Sequence, residues 1–181
     1  MQKAMTAHII MGLGNPGTAY KNTYHNVGML FVTWLRERQG KEVSSTQPSK
    51  KHFSYIKGSP ILAWPESTFM NESGIVAREI HDYFKVEPRS MCIAHDDSDM
   101  EVGTYKITFD QRSAGHKGVQ SIIDTLRTQT FWRIKIGIRP RTEKERKKAE
   151  DFVLKKISVA DKKIFESVFE KIYLELAQEE K

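Results

Sequence analysis

Short apolar runs that recur between stretches with helical spacing constrain this chain more than any other feature of it. Ala7–Leu13 is expected to be a buried strand, Met91–His95 a short apolar strand ending in acids, and Phe131–Ile138 a further strand. Between them, Asn26–Gln39 reads as a helix with Met29, Leu30, Phe31, Val32 and Leu35 on or near its inner stripe. Asn71–Phe84 is a second helix, with Ile75, Val76, Ile80 and Phe84 at helical spacing, and Ala114–Thr128 a third. Phe53–Lys57 and Pro60–Trp64 flank Gly58-Ser59, which predicts a two-residue hairpin. Thr104–Phe109 alternates and should be an edge or antiparallel strand. Arg139–Lys148 carries many charges and no large apolar residue, so 139–150 is expected to be a mobile, solvated loop. A closing helix over 158–178 starts at Ser158-Val159-Ala160-Asp161 and carries Ile164, Val168, Ile172 and Leu176 on one face. The pattern predicts an α/β fold: one domain over 1–181, built on a mixed, mostly parallel twisted sheet with helices on both faces.

At 181 residues the chain can bury a sizeable single core. Its 29 Lys+Arg exceed its 23 Asp+Glu, and the resulting +6 contributes attraction to a polyanionic partner without naming one. Cys92 is the only cysteine, so no intrachain disulfide can form, and its apolar neighbours place it in a buried strand. Met1–Thr6 is polar, and no run approaches the ~20 apolar residues of a membrane helix, so no membrane association and a cytoplasmic location are expected.

Gly12-Leu13-Gly14-Asn15-Pro16-Gly17 matches the letters of a dinucleotide-binding loop but not its physics. Pro16 has no N–H for a phosphate, and Thr18–Tyr24 lacks a helical apolar period, which sets aside a nucleotide-dependent oxidoreductase. The glycine turn instead delivers Asn15, and then Tyr20, His25 and Asn26, to the carboxyl end of a strand. Asn71 follows the hairpin and Asp96 follows the central strand, so polar residues gather at the edge where α/β sheets bind ligands. Gly115-His116-Lys117-Gly118 opens the third helix near that edge. A His and an Asp from separate strand ends can form a general base with its orienting carboxylate, and amide side chains can hold a carbonyl or an oxyanion. Simpler readings stand beside these: His25 as a helix cap, Asn15 as a turn residue, Asn71 as an N-cap. Asp96-Asp97-Ser98-Asp99 lacks the ligand run and terminal Glu of a calcium loop, so no metal is expected, and His8, His52 and His81 have no companions.

Taken together these segments resemble bacterial peptidyl-tRNA hydrolase. The similar pieces are Gly12–Gly17 with Tyr20, Thr23-Tyr24-His25-Asn26-Val27-Gly28, Thr68-Phe69-Met70-Asn71-Glu72-Ser73-Gly74 and His95–Asp99. Gly115–Gly118, Arg133–Ile138 with Arg139-Pro140, and Asp151-Phe152-Val153-Leu154 follow in family order. The resemblance implies hydrolysis of the ester joining a peptide to the 3′ end of tRNA, without metal or cofactor. It implies His25 as the base that activates water and Asp96 as the group that orients it. Asn15 and Asn71 would position ester and water, and Tyr20 and Phe69 would line the cleft. Peptidyl-tRNA is the implied partner of a monomeric enzyme, held mainly through phosphates, with Lys106, Arg112, Lys117, Arg133 and Lys135 as candidate contacts.

The chain departs from the family pattern in three places. Lys117 stands where the family has an amide, and an ammonium donates hydrogen bonds but cannot accept them. Asp110-Gln111-Arg112-Ser113-Ala114 replaces a glycine-rich stretch and should stiffen a cleft wall. The usual G-I-G-R-P is shortened to Gly137-Ile138-Arg139-Pro140, and Pro65–Thr68 is one residue longer than its counterpart. An active hydrolase with altered substrate affinity is expected; the competing reading is a non-catalytic RNA-binding relative, of the splicing-cofactor type.

Overall fold

The computed structural model describes residues 5, 7–38, 46–48, 50–140 and 148–179. Six strands form one sheet in the order β2-β3-β1-β4-β6-β5: β1 (Ile9–Gly12), β2 (Phe53–Ile56), β3 (Ile61–Pro65), β4 (Met91–Glu101), β5 (Tyr105–Phe109) and β6 (Trp132–Arg139). The four inner strands are mutually parallel, whereas β2 and β5 pair antiparallel at the two edges. The helices are α1 (Val27–Arg38), α2 (Ser73–Phe84), α3 (Lys117–Leu126) and α4 (Val159–Glu179).

Strand side chains alternate between two cores. Ile10, Cys92, Ala94 and Ile134 meet Phe31 and Leu35 of α1 and Phe165, Val168, Phe169 and Ile172 of α4. Ile9, Met11, Met91 and Ile93 meet Val76 and Ile80 of α2 and Val119 and Ile122 of α3. The mixed, mostly parallel sheet covered on both faces is therefore as expected. Gly28 lets α1 approach β4 closely, since a Cβ there would lie 2.1 Å from the Ala94 carbonyl oxygen. Ser158 Oγ accepts from the Asp161 N–H at 3.0 Å and caps α4.

Four expectations need correction. A two-residue hairpin would pair Lys57 with Pro60, which has no N–H to give; instead Ile56 pairs with Leu62 across a longer connection. β4 does not stop at its acids but runs on to Glu101, because Asp96 and Asp97 still pair through their backbones with Ile136 and Gly137. α3 starts at Lys117, three residues late, because Ala114 (φ 50°) and Gly115 (φ 82°) are left-handed and cannot continue a helix. Ile75 lies off the buried stripe of α2, which follows Val76, Ala77 and Ile80, and is 45% exposed. The anticipated mobile loop falls largely on 141–147, outside the described residues.

The parallel strands point their carboxyl ends to one edge. β5 runs the other way, so its last residue, Phe109, sits beside Trp132 at the far edge. Residues 110–116 must therefore return across the sheet face to bring His116 to the edge where the parallel strands end.

Candidate active site

Asp96 lies at the centre, 2% exposed and bonded to two imidazoles. His25 Nδ1 is 2.9 Å and 3.0 Å from its two carboxylate oxygens, and His116 Nε2 is 2.9 Å from Oδ1. His25 occupies a single helical turn before α1, and its N–H donates to the Val153 carbonyl at 2.8 Å. His116 caps α3: its Nδ1 accepts from the Val119 N–H at 3.2 Å. That bond fixes its tautomer, since an accepting Nδ1 leaves the hydrogen on Nε2, where it points at Asp96. His25 likewise donates from Nδ1, which leaves Nε2 bare and unpartnered among the described residues, on a ring that lines a cleft of about 640 Å³. Burial alone would raise the pKa of Asp96, but the charges and hydrogen bonds of His116 and His25 outweigh it and hold the carboxyl well below its usual range. Asp96 is thus a carboxylate at any working pH.

His25, Asp96 and His116 present ligand atoms within 4.8 Å of one another. Their hydrogens suit a proton network better than an ion. To ligate through Nε2, His116 would have to move its hydrogen to Nδ1, where Val119 already donates.

Asn15 is buried in a reciprocal pair: its N–H donates to Asn26 Oδ1 and its carbonyl accepts from Asn26 Nδ2, both at 2.9 Å. Its own Oδ1 accepts from the Met70 N–H at 2.8 Å, tying the loop after β1 to the turn before α2. With the acceptor occupied, the Asn15 NH₂ remains as a donor. Tyr20 and Phe69 meet edge to face with ring centres 6.1 Å apart, and Phe69 is 48% exposed. Asn71 is exposed beside Lys117 in an adjoining shallow cleft of about 410 Å³. It does not cap α2; the turn before that helix opens at Phe69, whose N–H donates to Glu72 at 3.3 Å.

Residues 9–179 match the family model described as peptidyl-tRNA hydrolase. The chain belongs to the peptidyl-tRNA hydrolase family. A peptidyl-tRNA hydrolase of Mycoplasma mycoides is 36% identical over 83% of this chain and 80% of its own length. One from Hydrogenobaculum is 36% identical over 90% of this chain and 85% of its own length. The crystal structure of the Acinetobacter baumannii peptidyl-tRNA hydrolase superposes with a TM-score of 0.80 at 26% identity, covering 98% of this chain and 92% of that one.

Within this member of the family, the basic candidates divide. Lys106 and Arg112 are exposed. Lys135 is held against Asp97 at 2.6 Å and is 21% exposed. Lys117 projects into solvent and lies 3.9 Å from Glu150 across the cleft mouth. Arg133 is a correction: it is fully buried, so no phosphate can reach it. Its Nη1 donates to the Arg112 carbonyl at 2.7 Å, while burial lowers its pKa to about 10 despite nearby Asp110.

Two histidines carry more than their sequence positions suggest. His116 was visible only as the second letter of Gly-His-Lys-Gly before a helix. His95 is buried, donates from Nδ1 to the Asp96 carbonyl at 2.7 Å, and packs edge-on against His116 with ring centres 4.7 Å apart. Burial, with His116 and Arg133 nearby, holds its pKa well below the usual imidazole range, so it is a neutral spacer under the network. Among the described residues, no helix is long and apolar enough to cross a membrane.

Proposed function

We propose that this protein hydrolyses the ester between the peptide and the 3′-terminal ribose of peptidyl-tRNA, with His25 as general base and Asp96 as its orienting carboxylate. The observation that carries the proposal is the double hydrogen bond of Asp96 to His25 Nδ1, which leaves the Nε2 lone pair for water. Water attacks the ester carbonyl as Nε2 takes its proton, and the imidazolium that forms faces a buried carboxylate. The tetrahedral oxyanion needs donors, which the Asn15 and Asn71 amides and the Lys117 ammonium supply. Collapse expels the ribose oxygen, which receives the proton from His25, giving a free peptide carboxylate and a tRNA 3′-hydroxyl. His116 shares Asp96 Oδ1 with His25 and, on this reading, touches no reacting atom.

The net charge of +6 supports a polyanionic substrate, with Lys106, Arg112 and Lys135 as phosphate contacts. A monomer acting as a single domain in the cytoplasm is part of the same proposal. The deciding measurement is release of peptide from peptidyl-tRNA by the wild type and by His25→Ala. Release by the wild type and its loss in the variant are expected. Equal rates would overturn the role of His25, and tight tRNA binding without release would make the chain a non-catalytic RNA-binding relative.

A further inference from the structure

We propose that Arg133 is a positioning residue for the reaction, acting through the 110–116 arm on His116 and through it on Asp96 and His25. The proposal rests on the reading of His25 as the base.

The arm has little reason of its own to adopt its path. Asp110 (φ 53°), Ala114 (φ 50°) and Gly115 (φ 82°) are all left-handed, and two of the three bear a Cβ that disfavours this region. It is held at three places. At its start, the Asp110 N–H reaches the Phe131 carbonyl at 3.3 Å. At its end, the His116 N–H reaches the Ser113 carbonyl at 3.0 Å, and Ser113 Oγ donates to Gln120 at 2.6 Å. Midway, Arg133 Nη1 reaches up from the sheet to the Arg112 carbonyl at 2.7 Å. Four residues after that carbonyl, His116 meets Asp96.

Arg133 is an unfavourable choice for an anchor on stability alone. Its side chain is fully buried, and Nε and Nη2 have no hydrogen-bond partner among the described residues. No carboxylate lies within ion-pair distance of it among the described residues. An apolar side chain of similar length would fill the same space without burying a charge, and such replacements are commonly neutral or stabilising. A residue that costs stability and holds the arm bearing His116 is explained by what the arm does. Arg133 also runs over the Phe131 ring at 5.4 Å, which fixes the direction of the guanidinium.

The test uses the full chain with Arg133→Met, Arg133→Lys and His116→Ala. Arg133→Met is expected to lower kcat about 10- to 100-fold with little change in KM, the size of effect a sub-ångström to ångström misplacement produces. Its Tm should hold or rise, whereas a merely structural arginine would lower it. Arg133→Lys, which keeps a donor for the Arg112 carbonyl, should recover kcat to within about threefold of the wild type. Placed in His116→Ala, Arg133→Met should cost less than about twofold more, because the route it acts through is already broken. Multiplicative losses in the two backgrounds would overturn the proposal. A readout without substrate separates it from the functional assignment: the downfield proton signal of the His116 Nε2–H bonded to Asp96 should vanish in Arg133→Met and return in Arg133→Lys. If the wild type released no peptide, the functional reading would fail while this signal still decided the arm. If Arg133→Met does not fold, Arg133→Gln, too short to reach the Arg112 carbonyl, takes its place; failure of both to fold would make Arg133 structural and overturn the proposal.

Discussion

Asp96→Asn removes one charge and almost no volume, yet the tautomers around it make the change severe. His116 must donate from Nε2, because its Nδ1 is held by the Val119 N–H. The new amide therefore has to turn its oxygen toward His116, at the place of Oδ1. Its NH₂ then takes the place of Oδ2, 3.0 Å from His25 Nδ1. Two donors would face each other there, and the remaining oxygen, 2.9 Å from His25 Nδ1, would have to serve both imidazoles; His25 relieves the clash by shifting its hydrogen to Nε2, so that Nδ1 accepts from the new amide. The lone pair proposed to activate water is then gone, and the carboxylate proposed to stabilise the imidazolium is gone with it. A charged hydrogen bond contributes about 1.5–3 kcal/mol. Adding the wrong tautomer gives about 3–4 kcal/mol of lost transition-state stabilisation, or ~10²–10³-fold in kcat. Steady-state release of peptide from peptidyl-tRNA should show that fall with KM changed less than about threefold. Raising the pH should not restore the rate, because it does not return the hydrogen from Nε2 to Nδ1. A loss smaller than about tenfold, or recovery at high pH, would refute the tautomer argument.

Three further expectations concern stability. His95 is neutral in the fold but binds a proton once unfolded, so the unfolded state takes up more protons as pH falls below about 6.5. Its depressed pKa removes up to about 1.4 kcal/mol per pH unit on that side, and denaturant titrations of His95→Gln should show a flatter acid limb; an unchanged slope would count against burial as the cause. Asn26→Ala unpairs the buried N–H and carbonyl of Asn15, and a shift of the urea midpoint equivalent to about 2–4 kcal/mol is expected. A loss below about 1 kcal/mol would mean that water takes over both bonds. Ala114→Gly relieves a left-handed alanine and should raise stability by about 0.5–1 kcal/mol in the same assay, whereas a loss would show that the Cβ packs usefully.

Much of this was legible in the sequence, for reasons that can be named. β1 and the first half of β4 are apolar on both faces, which marks buried parallel strands, and Asn15, His25 and Asp96 stand just past or soon after such runs. Polar side chains at strand ends mark a site because little else explains them there. The acid run hid the length of β4, since backbone pairing needs no apolar side chain once Lys135 neutralises Asp97. Arg133 and Lys135 alternate with apolar residues and so read as a solvent-facing row. Arg133 is nonetheless buried and bonded to the 110–116 arm that returns across that row, and no local pattern announces a segment folding back over a sheet. The motif that holds His116 is legible, but its bond to Asp96 is not, because that partner comes from a distant strand and the place of His116 depends on the path the arm takes.

The position of Asp96 has a consequence for assembly. His25 arrives with the layer that holds α1, and His116 arrives with the layer that holds α3. One carboxylate at the sheet edge stitches the two together. A chain with only one layer docked would hold an acid and a single imidazole, without the second grip that sets their angle. Gain of activity during refolding should therefore track the later of the two docking events. The three-residue network is complete only once both halves of the molecule have closed on the sheet.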